Sequence, residues 1–293
     1  MPCGRHLAGP GRRVYSGIPG RKICVCRERK IEMAINNECT EIETQRRDHV
    51  LRIKINRPEK KNAITRSMYA AMADALGRAD ADSGVRAVFL HGTQDCFTAG
   101  NDLKDFQSFR QDGNNKDVSN FLSAISQAQK PLVAAVGGVA VGVGTTMLLH
   151  CDLVYAGQGA KFILPFAALG LCPEAASSFL LPRLIGHQRA SELLLLGEPF
   201  SAAQACEIGL VNAVYPDAEC IDRAYSQVQK LVQQPPASVR ITKALLKDSL
   251  SEYIAKAMAV ERKHFSERLV SGESNEAFSA FFEGRKPDFS TFD

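Results

Sequence analysis

No run in the 293-residue chain approaches the ~18 consecutive apolar residues that span a bilayer, and its N-terminal part holds no apolar core of signal-peptide length. A secreted or membrane-spanning protein is therefore not expected, and no membrane partner is assigned. Cysteine offers no framework either. There are nine, an odd number; Cys24 and Cys26 form one C-x-C pair, and the rest are scattered singly through apolar segments. Without a second pair at zinc-like spacing, and in a chain too large to need disulfides, reduced and mostly buried thiols are expected, with no metal site. Lysine-rich helices are missing as well. Lys243, Lys247, Lys256 and Lys263 alternate with Asp248, Glu252 and Glu261, so nothing suggests a nucleic-acid partner.

Net charge is only +4, but it is unevenly placed. Residues 1–32 carry eight Lys/Arg against two Glu, which leaves the remaining 261 residues at −2. Gly4, Gly9, Pro10, Gly11, Gly17, Pro19 and Gly20 in that stretch oppose the amphipathic helix of an organelle-targeting signal. Residues 1–36 are thus expected to be a basic, disordered extension, with the natural start near Met33. The final Ser290-Thr291-Phe292-Asp293 is not a peroxisomal S-K-L signal. A bacterial-type cytoplasm is the first expectation for location and the mitochondrion the second.

The body alternates strand and helix patterns. Leu51, Ile53 and Ile55 alternate with Arg52 and Lys54, the period of a half-buried strand. Met68, Met72 and Leu76 mark a helix over 66–80. Val85–His91, Pro131–Val136 and Asp152–Ala156 are compact β-rich runs, and 118–129 reads as helical. Repeated strand-then-helix order predicts βα units with parallel pairing. From about Ser201 helical patterns dominate, over 202–208, 217–231 and 238–269. A core over 37–200 and a helical subdomain over 201–293 follow.

Four local patterns carry the chemistry. Asn56-Arg57-Pro58 ends a strand and runs into the basic turn Lys60-Lys61-Asn62-Ala63-Ile64; alone, this is a solvated loop. Phe97-Thr98-Ala99-Gly100-Asn101-Asp102-Leu103 follows a strand; its glycine allows close approach of backbone to a ligand, and Asp102 can cap a helix. Gly137-Gly138-Val139-Ala140-Val141-Gly142-Val143-Gly144 is not G-x-G-x-x-G, so a dinucleotide site is poorly supported, but it frees backbone N–H groups at a helix start. Gly170-Leu171-Cys172-Pro173-Glu174 places one Glu among small and apolar residues. Such a carboxyl should have a raised pKa and suit a general base, although a Glu just after Pro also suits a plain helix N-terminus.

Together these patterns resemble the crotonase (enoyl-CoA hydratase/isomerase) superfamily, from about Cys39 to Phe292. The glycine run into Cys151-Asp152 and the ending Phe282-Glu283-Gly284-Arg285-Lys286-Pro287-Asp288-Phe289 add to the likeness. The resemblance implies an α/β fold, a spiral of ββα units followed by a C-terminal helical trimerisation region, with an enoyl-CoA thioester as substrate and no cofactor. It implies a homotrimer or hexamer. It maps the two backbone N–H groups that bind the thioester oxygen to Ala99 and Val143. Lys60, Lys61, Asn62, Ala63, Ile64, Gly100, Asn101, Asp102 and Leu103 would hold CoA, and Lys286 would meet its nucleotide phosphates.

Hydratases of that family carry two glutamates. Aligned through Cys151-Asp152, their positions fall here on Thr146 and Phe166, neither of which is a carboxylate. Glu174 instead stands where Δ3,Δ2-enoyl-CoA isomerases have a single catalytic Glu, and Ser177-Ser178 matches that subgroup. Phe166 and Ala167 are expected to keep the site apolar. The resemblance therefore implies a one-base isomerase of fatty-acid β-oxidation, with a hydratase or other acyl-CoA lyase as the alternative.

Overall fold

The larger sheet is laid out by runs that are apolar on both faces. Its strands, in spatial order, are β1 (Met33–Ala34), β2 (Ile42–Arg47), β3 (Val50–Ile55), β4 (Ala87–His91), β5 (Leu132–Val136), β7 (Leu153–Gly157) and β10 (Ala213–Tyr215). The pairs from β3 to β10 are parallel, while β1–β2 and β2–β3 are antiparallel. β4 and β5 are buried at every residue, which explains why neither alternates in sequence. The computed structural model describes residues 39–105 and 115–292, with the backbone of Met33 and Ala34.

A second, three-stranded sheet contains β6 (Val139–Val141), β8 (Lys161–Ile163) and β9 (Phe200–Ser201). The chain alternates between the two layers: β5 then β6, β7 then β8, β9 then β10. This is the ββα spiral expected from the sequence. Single bridges Ile64↔Asn101 and Thr98↔Ala140 extend the smaller layer toward the two functional loops.

Helix α1 (Arg66–Ala81) starts where Thr65 accepts the Met68 N–H, and it buries Met68, Tyr69, Met72, Ala75, Leu76 and Ala79 against the sheet. Helix α2 (Lys116–Gln127) adds Phe121, Leu122 and Ile125 to the same core. The opposite face of the sheet, with Val50, Phe89, Val133 and Tyr155, is covered by α7 (Cys220–Val232) through Cys220, Ala224, Val228 and Val232. Between these lie α3 (Val143–Thr146), α4 (Ser177–Ile185), α5 (His187–Leu195) and α6 (Ala202–Glu207). The chain ends in α8 (Pro236–Leu269) and α9 (Gly272–Glu283).

Three differences from the sequence reading have simple causes. The extension expected over 1–36 lies outside the described residues except for Met33 and Ala34, which pair with Arg46 and Gln45 and cover part of the β2 edge. β6, β8, β9 and β10 are too short to show a period. The change at residue 201 is one of element type: residues 32–293 form one compact unit, and β10 from the helical third joins the main sheet.

Helix α8 is tied to the sheet by ionic contacts. Lys243 is 6% exposed; its Nζ donates to Asp152 Oδ2 at 2.7 Å and to the Lys130 carbonyl at 2.6 Å. Asp152 Oδ2 also accepts the Leu132 N–H at 2.7 Å, at the start of β5. Burial pulls the Lys243 pKa down against the attraction of Asp152. Removing Lys243 leaves the Asp152 carboxylate with only the Leu132 N–H and the longer Lys247 contact at 3.9 Å. We therefore expect Lys243→Ala to cost about 3–5 kcal/mol, seen as a lower urea midpoint with an unchanged slope, whereas Lys263→Ala on the same helix should move the midpoint little.

Candidate active site

Two segments far apart in sequence are zipped together at the edge of the smaller layer. Ala99 N–H donates to the Lys61 carbonyl at 2.9 Å, Ile64 N–H to Gly100 O at 2.8 Å, and Asp102 N–H to Ile64 O at 2.9 Å. Asn62 fixes the turn from within. It is fully buried, its Oδ1 accepts the Arg57 N–H at 2.7 Å, and its Nδ2 donates to the Cys96 carbonyl at 2.8 Å. Arg57 crosses to Asp102 at 2.7 Å. Burial pushes the Asp102 carboxyl up, but hydrogen bonds from Arg57 and from the Asp105 and Lys104 amides outweigh it and hold the carboxyl below its ordinary value. Gly100 has φ +88°, and a Cβ there would stand 2.9 Å from the Val141 carbonyl, so the close approach of this loop to β6 requires glycine.

The glycine-rich run brings the start of α3 to the same place. Among the described residues, the backbone N–H groups of Asn101 and Val143 meet no protein acceptor, and both residues line one cavity of about 90 Å³. Val141, Gly142, Phe166, Leu171, Phe265 and Phe278 supply most of its wall, and among the described residues Glu174 is the one ionisable side chain in its lining. Asn101 is itself fixed, since the buried Tyr69 hydroxyl donates to its Oδ1.

Glu174 sits at the head of a strained turn. Ala175 and Ala176 both have φ +58°, a conformation that costs a non-glycine residue about 1–2 kcal/mol. Hydrogen bonds hold the turn on every side. Ser177 N–H and Oγ donate to the Glu174 carbonyl at 3.0 and 2.6 Å, and His150 Nε2 donates to the Ala175 carbonyl at 2.8 Å. Burial lowers the His150 pKa to about 4, so its ring is neutral at physiological pH. The Glu174 carboxyl accepts a hydrogen bond from the Thr146 hydroxyl. Burial raises its pKa to about 7; the Thr146 bond opposes that rise and the Glu261 charge adds to it. The residue as a whole is partly exposed, through the cavity, while its carboxyl is packed in by protein. A carboxyl near pKa 7, facing an apolar cavity beside two free N–H groups, can give and take a proton next to a developing oxyanion.

A sequence profile of the enoyl-CoA hydratase/isomerase family matches residues 45–291. The chain belongs to that family. It is 36% identical over 246 residues to enoyl-CoA delta isomerase 2 of Rattus norvegicus, covering 81% of this chain and 62% of that protein. The chain thus spans about three fifths of the length of that relative. It is 32% identical over 251 residues to 2,3-dehydroadipyl-CoA hydratase of Escherichia coli K12, covering 85% of this chain and 98% of that protein. Among solved structures, an enoyl-CoA hydratase/isomerase from Pseudoalteromonas atlantica T6c superposes with a TM-score of 0.82 at 42% identity, over 85% of this chain and all of that one. Isomerases and hydratases both stand among these relatives, and the crotonase fold is common to them.

Within this family fold the residues singled out from sequence separate into two groups. Gly100, Asn101, Leu103, Val143, Phe166 and Glu174 line the cavity, and so does Ala99. Ala99, however, does not offer the donor that the resemblance maps to it, because its N–H is spent on the Lys61 carbonyl at 2.9 Å; the unbonded amide facing the cavity lies two residues on, at Asn101. Asn62 and Asp102 have side chains committed to the loop itself, and Ile64 is buried in the core, so these three shape the site without lining it. Ala63 is half-buried, and Lys60 and Lys61 are exposed on the turn. Lys286 is exposed in the segment after α9 and lines neither this cavity nor its neighbour. Ala167 faces outward rather than into the site. Sequence reasoning missed Thr146 as the partner of Glu174, and it missed Tyr69 and Glu261. The first stood at a position already singled out; the others lie on distant helices and gave no local signal.

The raised pKa has a consequence for stability. An unfolded Glu titrates near 4.5 and the folded Glu174 near 7, so the folded state binds this proton more tightly. Stability is then lost as pH rises from about 4.5 through about 7, by an amount on the order of 3 kcal/mol. Glu174→Gln removes the titration. Urea unfolding at pH 5 and pH 8 should show the variant gaining on the wild type at the higher pH; a gap that stays constant would mean the carboxyl is not held against ionisation.

Proposed function

We propose that the protein is a Δ3,Δ2-enoyl-CoA isomerase that shifts a double bond in a fatty acyl thioester by one-base proton transfer. The observation that carries this reading is that, among the described residues, Glu174 is the one ionisable side chain lining the cavity where the Asn101 and Val143 amides meet; by the resemblance, Thr146 and Phe166 stand at the two positions where hydratases of the family carry glutamates. Hydration needs one group to activate water and another to manage the α-proton. A double-bond shift needs one group only.

In the proposed reaction the thioester oxygen rests on the Asn101 and Val143 N–H groups. The Glu174 carboxylate removes a proton from C2, and the electron pair moves through the C1–C2 bond onto the oxygen as a dienolate. The protonated Glu174 then returns the proton at C4, and the double bond settles between C2 and C3. Donors aimed at the developing oxyanion lower the barrier by about 3–4 kcal/mol each. The thioester activates its own α-proton, so no cofactor takes part. Lys60 and Lys61, exposed on the turn that frames the cavity, would attract the CoA phosphates.

The exposed apolar residues Ile241, Leu245, Leu246 and Tyr253 of α8, beside a cleft of about 780 Å³ between α2 and α8, support self-assembly through this helix into the trimer or hexamer that the family implies.

The test pairs two substrates, a 3-enoyl-CoA and a 2-trans-enoyl-CoA, followed by ultraviolet absorbance and mass. The conjugated thioester should appear from the first, with no gain of water in the second. Glu174→Gln should lower turnover of the first by about 10²–10⁴-fold. Rapid hydration of the second substrate would favour the hydratase reading, and full isomerase activity in Glu174→Gln would remove Glu174 from its role.

A further inference from the structure

The described residues include a second buried carboxylate that the proposed reaction does not use. Glu261 lies on α8, eighty-five residues beyond Ala176 in sequence, and is 6% exposed. Its Oε2 accepts the Ala176 N–H at 2.6 Å, and its Oε1 accepts the Ser178 N–H at 2.9 Å and the Ser178 hydroxyl. Burial raises its pKa, while the two backbone donors and the hydroxyl that converge on it oppose that rise and favour the ionised form. It therefore caps the N-terminus of α4 from another helix, across the turn that begins at Glu174.

We infer that Glu261 is the positioning residue of this site: anchored on α8, its carboxylate holds the two left-handed alanines that follow Glu174 and thereby sets where the Glu174 carboxyl stands. This rests on the reading of Glu174 as the proton carrier. Three observations support it. Ala175 and Ala176 both adopt a backbone conformation that alanine does not favour, so an outside partner must hold them. Ala176 N–H, the amide between the strained turn and α4, is bonded to Glu261. Glu174, Ala175 and Glu261 line one small cavity together with Asn101 and Phe265, continuous in its lining with the cavity that holds the free N–H groups.

Glu261 is not itself a second catalytic base. Both of its oxygens already receive hydrogen bonds, and it is absent from the lining of the cavity where Asn101 and Val143 present their amides. Its influence on Glu174 is through the backbone and through charge. Among the described residues, the titratable groups near Glu174 are Tyr69 from α1, Cys172 on the same loop, His150 on the neighbouring Ala175 carbonyl, and Glu261 with Arg262 from α8. Of these, Glu261 is the one whose charge acts on the Glu174 proton in the direction that keeps it bound.

The experiment compares the wild-type protein with Glu261→Gln, Glu261→Ala and Glu174→Gln. It reads isomerisation of a 3-enoyl-CoA across pH and, separately, calorimetric binding of a saturated acyl-CoA that cannot react. Glutamine keeps one acceptor oxygen and loses the charge; alanine loses both. A positioning role predicts saturated acyl-CoA affinity within about threefold of wild type in both Glu261 variants. It also predicts kcat lowered about 10-fold in Glu261→Gln and about 100-fold in Glu261→Ala. The acid limb of kcat/KM should move to lower pH, because loss of the negative charge and easier access of water both favour ionised Glu174.

Wild-type kcat and an unmoved acid limb in both Glu261 variants, alongside an inactive Glu174→Gln, would overturn this inference and leave the isomerase reading standing. An active Glu174→Gln would overturn both. If neither Glu261 variant folds, Ser178→Ala decides: it removes one of the three bonds and keeps the charge, so kcat reduced with binding retained supports the role, and a wild-type kcat overturns it.

Discussion

A carboxyl group moves protons in both directions near neutral pH only if water is kept from stabilising its charge, and the site depends on that one exclusion. Glu174 reaches about pKa 7 because apolar wall replaces its hydration. The cost of such a group is borne by the rest of the fold: the two sheets, α1 and α8 must hold walls together around a residue that works against stability at the pH where it is useful. Thr146 moderates that cost. Its hydroxyl stabilises the ionised form just enough that the carboxyl is poised between its two states rather than locked as an acid.

The spiral topology makes the exclusion possible. Because successive strands alternate between two layers, Asn101, Val143 and Glu174 arrive at one cavity from three separate turns of the chain. Each loop then needs a different means of staying in place. The Lys61–Ile64 turn is held by a buried asparagine and by the Arg57–Asp102 pair, both internal to neighbouring loops. The Glu174 turn is braced within itself by Ser177, whose N–H and Oγ donate to the Glu174 carbonyl, and from outside by His150 and by Glu261 on the last long helix. The C-terminal third therefore reaches the Glu174 turn through Glu261 and is tied into the candidate site.

Much of this was legible in the residues. Alternation at Leu51, Ile53 and Ile55, the Met68–Met72–Leu76 spacing and the wholly apolar runs that became β4 and β5 each reported one face or two of a buried element. Glu174 among small and apolar neighbours announced its own perturbed pKa. What the sequence could not report is which partner a polar atom finds at long range. Asp102 and Asn62 looked like ligand contacts because they sit in a loop motif, yet their side chains close the loop. The family resemblance mapped a donor to Ala99, but strand-like pairing with Lys61 consumes its N–H and leaves the Asn101 amide facing the cavity. Strands of two or three residues, such as β10, carry too few positions for any period to emerge.

The placement of Glu261 also bears on why a second carboxylate near Glu174 need not mean hydratase chemistry. A hydratase glutamate must present an oxygen to a water molecule, whereas both Glu261 oxygens are held by donors at the start of α4, Oε2 by the Ala176 N–H and Oε1 by the Ser178 N–H and hydroxyl. Two carboxylates near one site can thus serve entirely different ends, one moving protons and the other fixing a strained turn. The distinction lies in their hydrogen-bond partners rather than in their number. Counting acidic residues near a pocket does not by itself assign a chemistry; following each oxygen to its donors separates a carboxylate that faces the cavity from one bonded into the backbone.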